Sequence, residues 1–259
     1  MPSIDLDGVT LVYERTGSGD PVVLIHGLGS SGLDWEDQVP ALATGFQVLT
    51  VDLRGHGRSQ RPPGPYSIAQ FAGDVSRLLA RLGVERAHVV GISMGGAVAF
   101  QLAADDPQRV RSLVIVNSAP AMPVRTLRAR LMVWQRHLIV RLFGLPRLGA
   151  LLARRLFPDA AAARAVFAER FARNSTRSYL ASLNALVGWS VAERLGQIRC
   201  PTLVIASDQD YTPVAAKEDY VARLPNARLV VIPDARHAVP MERPAIFNKV
   251  LGEWLARQE

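Results

Sequence analysis

The chain has 259 residues, of which 49% are apolar, enough for one large core and too many for a disordered chain. Its net charge is +7, and its single cysteine, Cys200, excludes an internal disulfide. No apolar run reaches the ~18 residues that a membrane-spanning helix needs.

The N-terminal stretch MPSIDLDGV lacks a basic patch followed by an apolar run, so a soluble, cytoplasmic protein without a membrane partner is expected. TLVYERT alternates and predicts a strand. PVVLIHG and FQVLTVD are continuous apolar runs ending in Gly27 and Asp52, as strands covered on both faces would be. In SIAQFAGDVSRLLARLG, residues Ile68, Phe71, Val75, Leu78, Leu79 and Leu82 share a helical face, and Gly83 closes it. AHVVGIS is a strand, GGAVAFQLAADDP a helix and VRSLVIVNSA a strand. This alternation predicts an α/β fold, a mostly parallel central sheet with helices on both faces.

From Ala119 to Gly196 no strand-like run occurs. Leu127, Leu131, Trp134, Leu138 and Leu142 recur every three or four residues, and further helices are expected over 148–156, 160–173 and 176–187, punctuated by Pro146 and Pro158. Between Ser118 and Cys200 stand 14 Arg, no Lys and 3 acids, a net +11 that leaves −4 for the remainder. With no recognition motif beside it, this charge reads as the solvated faces of amphipathic helices, and no nucleic-acid partner is expected. The strand signal returns at CPTLVIASDQD, followed by a helix over 214–224, the strand ARLVVIPD and a last helix over 243–257. The expected organisation is therefore a core of residues 1–118 and 197–259 with a helical insertion, 119–196, looking like a lid.

GISMG, at the junction of a strand and a helix, matches G-x-S-x-G, the pattern of a nucleophile elbow. The turn holds Ser93 in a strained conformation, and Gly91, Gly95 and Gly96 let chain segments approach closely. A serine hydroxyl needs a base, and the base needs an orienting acid. Of the five histidines, His237 lies in a loop after the last strand, at the edge where Ser93 stands. His88 begins the strand leading to Ser93 and lies at the far end, His137 is in the insertion, and His26 and His56 are locked among glycines. The acid is expected from ASDQDYTPV: Asp210 is favoured, with Asp208 the alternative, and Asn117 leaves the end of the preceding strand without one. The amides of Met94, at a helix start, and of Leu28, in HGLGSS, are the expected oxyanion donors.

The motifs HGLGSSGLDW, VDLRGHGRS, GISMGG, SDQDYTP and RHAVPMERP stand in an order and spacing that resemble the α/β-hydrolase superfamily over nearly the whole chain. They resemble the branch of small carboxylesterases, enol-lactone hydrolases, carbon–carbon bond hydrolases and cofactor-free haloperoxidases (perhydrolases). The resemblance implies a cap over the active site and a mainly structural role for Asp52, Arg54 and His56. Haloalkane dehalogenases and epoxide hydrolases carry aspartate at the elbow, which Ser93 excludes. Ala206 and Ser207, with Pro213 three residues after Asp210, depart from the acid loop of many relatives. The expected activity is a carboxylesterase-like serine hydrolase acting on a small, mainly apolar ester, with no metal and no cofactor. Its alternatives are an enol-lactone or carbon–carbon hydrolase, a perhydrolase, or a non-catalytic small-molecule binder. Leu28, Trp35 and Met94 from the core and Trp134, Leu138, Phe143 and Trp189 from the insertion are the expected pocket walls.

Overall fold

The computed structural model describes residues 2–258. Strands β1 (Ser3–Asp5), β2 (Thr10–Thr16), β3 (Asp20–Ile25), β4 (Phe46–Asp52), β5 (Ala87–Ile92), β6 (Val110–Val116), β7 (Thr202–Ser207) and β8 (Ala227–Ile232) form one sheet. Their spatial order is β1-β2-β4-β3-β5-β6-β7-β8. β1 and β2 make an antiparallel edge, and from β4 to β8 every pairing is parallel. The central strands are buried on both faces, which is why their sequences run apolar instead of alternating.

The helices are α1 (Val39–Leu42), α2 (Ile68–Arg81), α3 (Met94–Asp105), α4 (Leu127–Leu156), α5 (Ala161–Ala172), α6 (Thr176–Leu186), α7 (Val214–Val221), α8 (Val239–Glu242) and α9 (Pro244–Leu255). Phe71 and Leu78 of α2, Phe100 of α3 and Tyr220 of α7 fill one face of the sheet. Trp35, Leu42 of α1, Val239 of α8 and Phe247 and Leu251 of α9 fill the other. Ser67 caps α2 by accepting the Gln70 amide at 3.1 Å, and its apolar spacing puts Phe71, Val75 and Leu78 on the sheet. Truncating the fully buried Phe71 or Phe100 to Ala would cost about 3–5 kcal/mol.

Between β6 and β7 the chain is helical, as expected, apart from an isolated bridge between Ala121 and Ser190. α4 is two helical stretches joined at Gly144, whose φ of 71° and ψ of 178° break the helix. Pro146 falls in the first turn of the second stretch, where its missing amide hydrogen costs nothing. Leu145 and Leu148 of that stretch pack on Phe171 of α5 and Tyr179 and Leu183 of α6. β1 was not expected, because three residues are too few to show a period.

Candidate active site

Ser93 sits between β5 and α3 with φ 54° and ψ −117°. A side chain in that region is strained, so the surroundings must hold it there. The Ser93 amide donates to Val116 O at 3.0 Å, and Ser118 Oγ donates to the Ser93 carbonyl at 2.6 Å. A Cβ on Gly95 would collide with the carbonyl oxygen of Ile25, so α3 can lie this close to β3 only with glycine there. Met94 is the first residue of α3, where an amide has no acceptor within the helix. Gly27 lies against Ser93, since a Cβ built on it would stand 3.5 Å from the serine Cβ. The loop carrying Leu28 therefore passes beside the serine.

Of the two candidate acids, Asp210 meets the histidine: His237 Nδ1 lies 2.6 Å from Asp210 Oδ1. Asp208 is engaged elsewhere, accepting the amides of Asp234 and Ala235 at 3.1 Å and so bracing the turn after β8. Asn117 at the end of β6 donates to the carbonyl of His237 at 2.9 Å and to Ser207 Oγ at 2.8 Å, while its own oxygen accepts the Ser207 amide. Ser93 and His237 are thus tied to consecutive residues, Val116 and Asn117, by short hydrogen bonds. A small cavity of about 30 Å³, lined by Asp34, Trp35, Ile92, Ala238, Pro240 and Met241, includes the chain neighbours of both.

Sequence reasoning missed two members of this cluster. Lys217 of α7 is buried, with Nζ 2.7 Å from Asp210 Oδ2, 2.8 Å from Thr212 Oγ1 and 2.9 Å from Thr212 O. Tyr211 stacks on the His237 ring at 4.4 Å between centroids, and the Arg155 guanidinium lies 4.9 Å from the Tyr211 ring centre. Burial by itself would raise the Asp210 carboxyl. The hydrogen bonds and charges of His237 and Lys217 outweigh it and hold the group far below the usual carboxylate range.

The other histidines are committed. His26 Nε2 accepts the Leu53 amide at 3.0 Å, and its Nδ1 donates to Gly27 O at 2.7 Å. His56 Nδ1 donates to Arg54 O at 3.0 Å. Burial lowers both, His56 to about 3, so both are neutral clamps. His88 bonds Ser112 Oγ, and His137 bonds Asn184. Asp52 accepts from the amides of Gly32 and Arg58 and from Arg58 Nε, and Arg54 holds the buried Asp74 through two bonds of 2.5 and 2.6 Å. These bonds fit a structural role for Asp52, Arg54 and His56. Among the described residues no three His, Cys, Asp or Glu side chains converge as metal ligands.

The expected pocket walls do not converge on one cavity. Trp35 is buried 6.3 Å from Phe247 and borders the small cavity. Trp189 donates to Gln101 Oε1 at 2.7 Å, packed against the core. Trp134, Leu138 and Phe143 are exposed. Trp134 and Leu138 line an open cavity of about 400 Å³ with Val124, Arg130, Val133, His137, Arg141 and Val187. Helical spacing places these side chains on a helix but does not say which way it faces.

Residues 20–244 match the model of the alpha/beta hydrolase fold family, and the chain belongs to that family. It is 34% identical over 259 residues, covering 97% of both chains, to the Azorhizobium caulinodans protein named "Putative carbamate hydrolase RutD". The enol-lactonase of Burkholderia xenovorans LB400 superposes with a TM-score of 0.91 at 28% identity, over 98% of this chain and 100% of that one. A thermophilic esterase of Thermogutta terrifontis superposes at 0.89, also 28% identical, over 99% and 97%. The protein is a hydrolase of this fold.

Proposed function

We propose that the protein is a serine hydrolase that cleaves small, mainly apolar carboxylic esters through Ser93, His237 and Asp210. The observation that carries this reading is the 2.6 Å contact between His237 Nδ1 and Asp210 Oδ1, on a loop bonded to Asn117, the residue after the hydrogen-bond partner of the strained Ser93. Ser93 Oγ attacks the ester carbonyl while His237 Nε2 takes its proton; Asp210 fixes the ring with Nδ1 protonated. The oxyanion rests on the amides of Met94 and Leu28. His237 returns the proton to the leaving alcohol, and water repeats the steps on the acyl-enzyme. The helical segment 119–196 acts as the cap over this site.

The likeness to an enol-lactonase and to a protein named for carbamate hydrolysis supports testing cyclic esters and carbamates beside simple esters. All three present a carbonyl to the same serine. The test is hydrolysis of p-nitrophenyl acetate, butyrate and octanoate, a small enol lactone and a carbamate by wild type and by Ser93→Ala. The expected result is turnover by wild type and its loss in the variant. Equal turnover by the variant would remove the serine mechanism, and binding of substrate without turnover would make the protein a non-catalytic member of the fold.

A further inference from the structure

The stripe Leu127, Leu131, Trp134, Leu138 and Leu142 faces solvent. Its members are between 38% and 73% exposed, while Val140, on the other side of α4, is buried. At 100° per residue the five fall within an arc of about 80° on one helix face. Arg128 stands on one flank and Arg130 and Arg141 on the other, all exposed. α4 carries seven Arg and no acidic residue. Among the described residues, the arginines between Ser118 and Cys200 that form ion pairs are Arg170, Arg173 and Arg194, none of them on α4. An unpartnered apolar stripe of this length is rare on a soluble surface and marks an interaction site.

We infer that this face of α4 docks on an anionic membrane surface. The charge decides between occupants. A second copy of the chain would bring a like-charged, Arg-flanked stripe against this one. An anionic lipid surface offers phosphates to the flanking guanidiniums and an acyl boundary to Leu and Trp. Arginine flanks with Leu and Trp between them are the composition of a helix that lies in the interfacial plane. No helix among the described residues is long and apolar enough to cross a membrane, so the attachment is peripheral. It departs from the sequence-based expectation of no membrane partner, because a surface stripe leaves neither a spanning run nor a targeting signal. Opposite the stripe, Arg136 Nε donates to Tyr179 OH at 2.8 Å, and beyond the Gly144 break Arg155 of the second stretch lies over Tyr211, which stacks on His237. Through α4 the docking face is thus continuous with groups that touch the candidate site.

The test is co-sedimentation of the full chain with vesicles of phosphatidylcholine alone and of phosphatidylcholine with one-third phosphatidylglycerol. Trp134 emission is followed as the difference between wild type and Trp134→Phe. The proposal expects binding to the anionic vesicles at least about tenfold tighter than to the neutral ones, weakened at about 0.5 M salt, with a blue shift of Trp134. Leu127→Glu with Leu131→Glu, at exposed positions, should lose about tenfold in vesicle binding at an unchanged melting temperature. Failure to bind anionic vesicles would overturn the proposal. So would undiminished binding by the double variant, since charge alone would then be acting. A wild-type dimer that the double variant dissociates would assign the stripe to a second copy, and retention on DNA without vesicle binding would assign the arginines to nucleic acid.

Discussion

Lys217→Met removes a charge from beneath the candidate acid while keeping most of the side-chain volume. In the structure the ammonium and the Asp210 carboxylate are both 1% exposed and 2.7 Å apart. Breaking a buried pair costs about 3–5 kcal/mol. Here Asp210 keeps His237 and the Thr212 hydroxyl, so a loss at or just below the lower end, about 2–3 kcal/mol, is expected. The loss depends on pH, because Lys217 is one of the groups that hold the Asp210 carboxyl below the usual carboxylate range. A carboxyl held low in the folded state contributes stability that is present above the ordinary carboxylate range and is lost as pH falls below it. The deficit of the variant should therefore be complete at about pH 7 and shrink toward about pH 3. The assay is a urea melt of wild type and variant at about pH 7 and about pH 3, with p-nitrophenyl butyrate hydrolysis followed alongside. No deficit near neutral pH, or a deficit that stays as large in acid, would refute the reasoning.

Asp210→Asn should lower kcat by about 10⁴-fold, the loss that follows when the base is held in the wrong tautomer. Asp208→Asn should cost less than about tenfold in rate and about 1 kcal/mol in a urea melt, because it braces only backbone amides. His88, lowered to about 4 by burial and by the charge of Arg111, binds protons less readily folded than unfolded. Its contribution is complete above about pH 6.5 and is lost as pH falls toward 4, up to about 3 kcal/mol, so His88→Gln should flatten the stability–pH curve over that window. Asp34 runs the other way. Burial raises it to about 6, so the folded form is penalised as pH rises through 4 to 6. Asp34→Asn should gain about 1–3 kcal/mol at pH 8 and little at pH 4, read from melting temperatures.

Ser93 and His237 could be proposed as site residues from the sequence because each proposal rests on local chemistry. The elbow needs small residues around one serine, and only His237 lay in a free loop at the correct edge. The parallel strands were legible because burial on both faces leaves nothing but apolar residues. Asp210 was favoured over Asp208 only by its place further out along the loop; what Asp208 does instead, bracing the turn after β8, is a tertiary contact that no pattern carries. Lys217 left no trace in any pattern, since its partner lies across a loop and its burial depends on tertiary packing. The Leu127–Leu142 stripe shows the same limit: its period announces a helix and is blind to what lies on either side of it.

Asn117 stands where the acid of this fold can also be placed, and its amide does work that a carboxylate could not. Its nitrogen donates to the carbonyls of Arg236 and His237 and to Ser207 Oγ. An aspartate there would offer only acceptors, aimed at carbonyl oxygens. Restoring the acid at β6 by one substitution would thus loosen the loop that carries the base before the new acid could serve it. In evolutionary terms the site has a ratchet: relocating the acid requires a second anchor for the His237 loop to be in place beforehand.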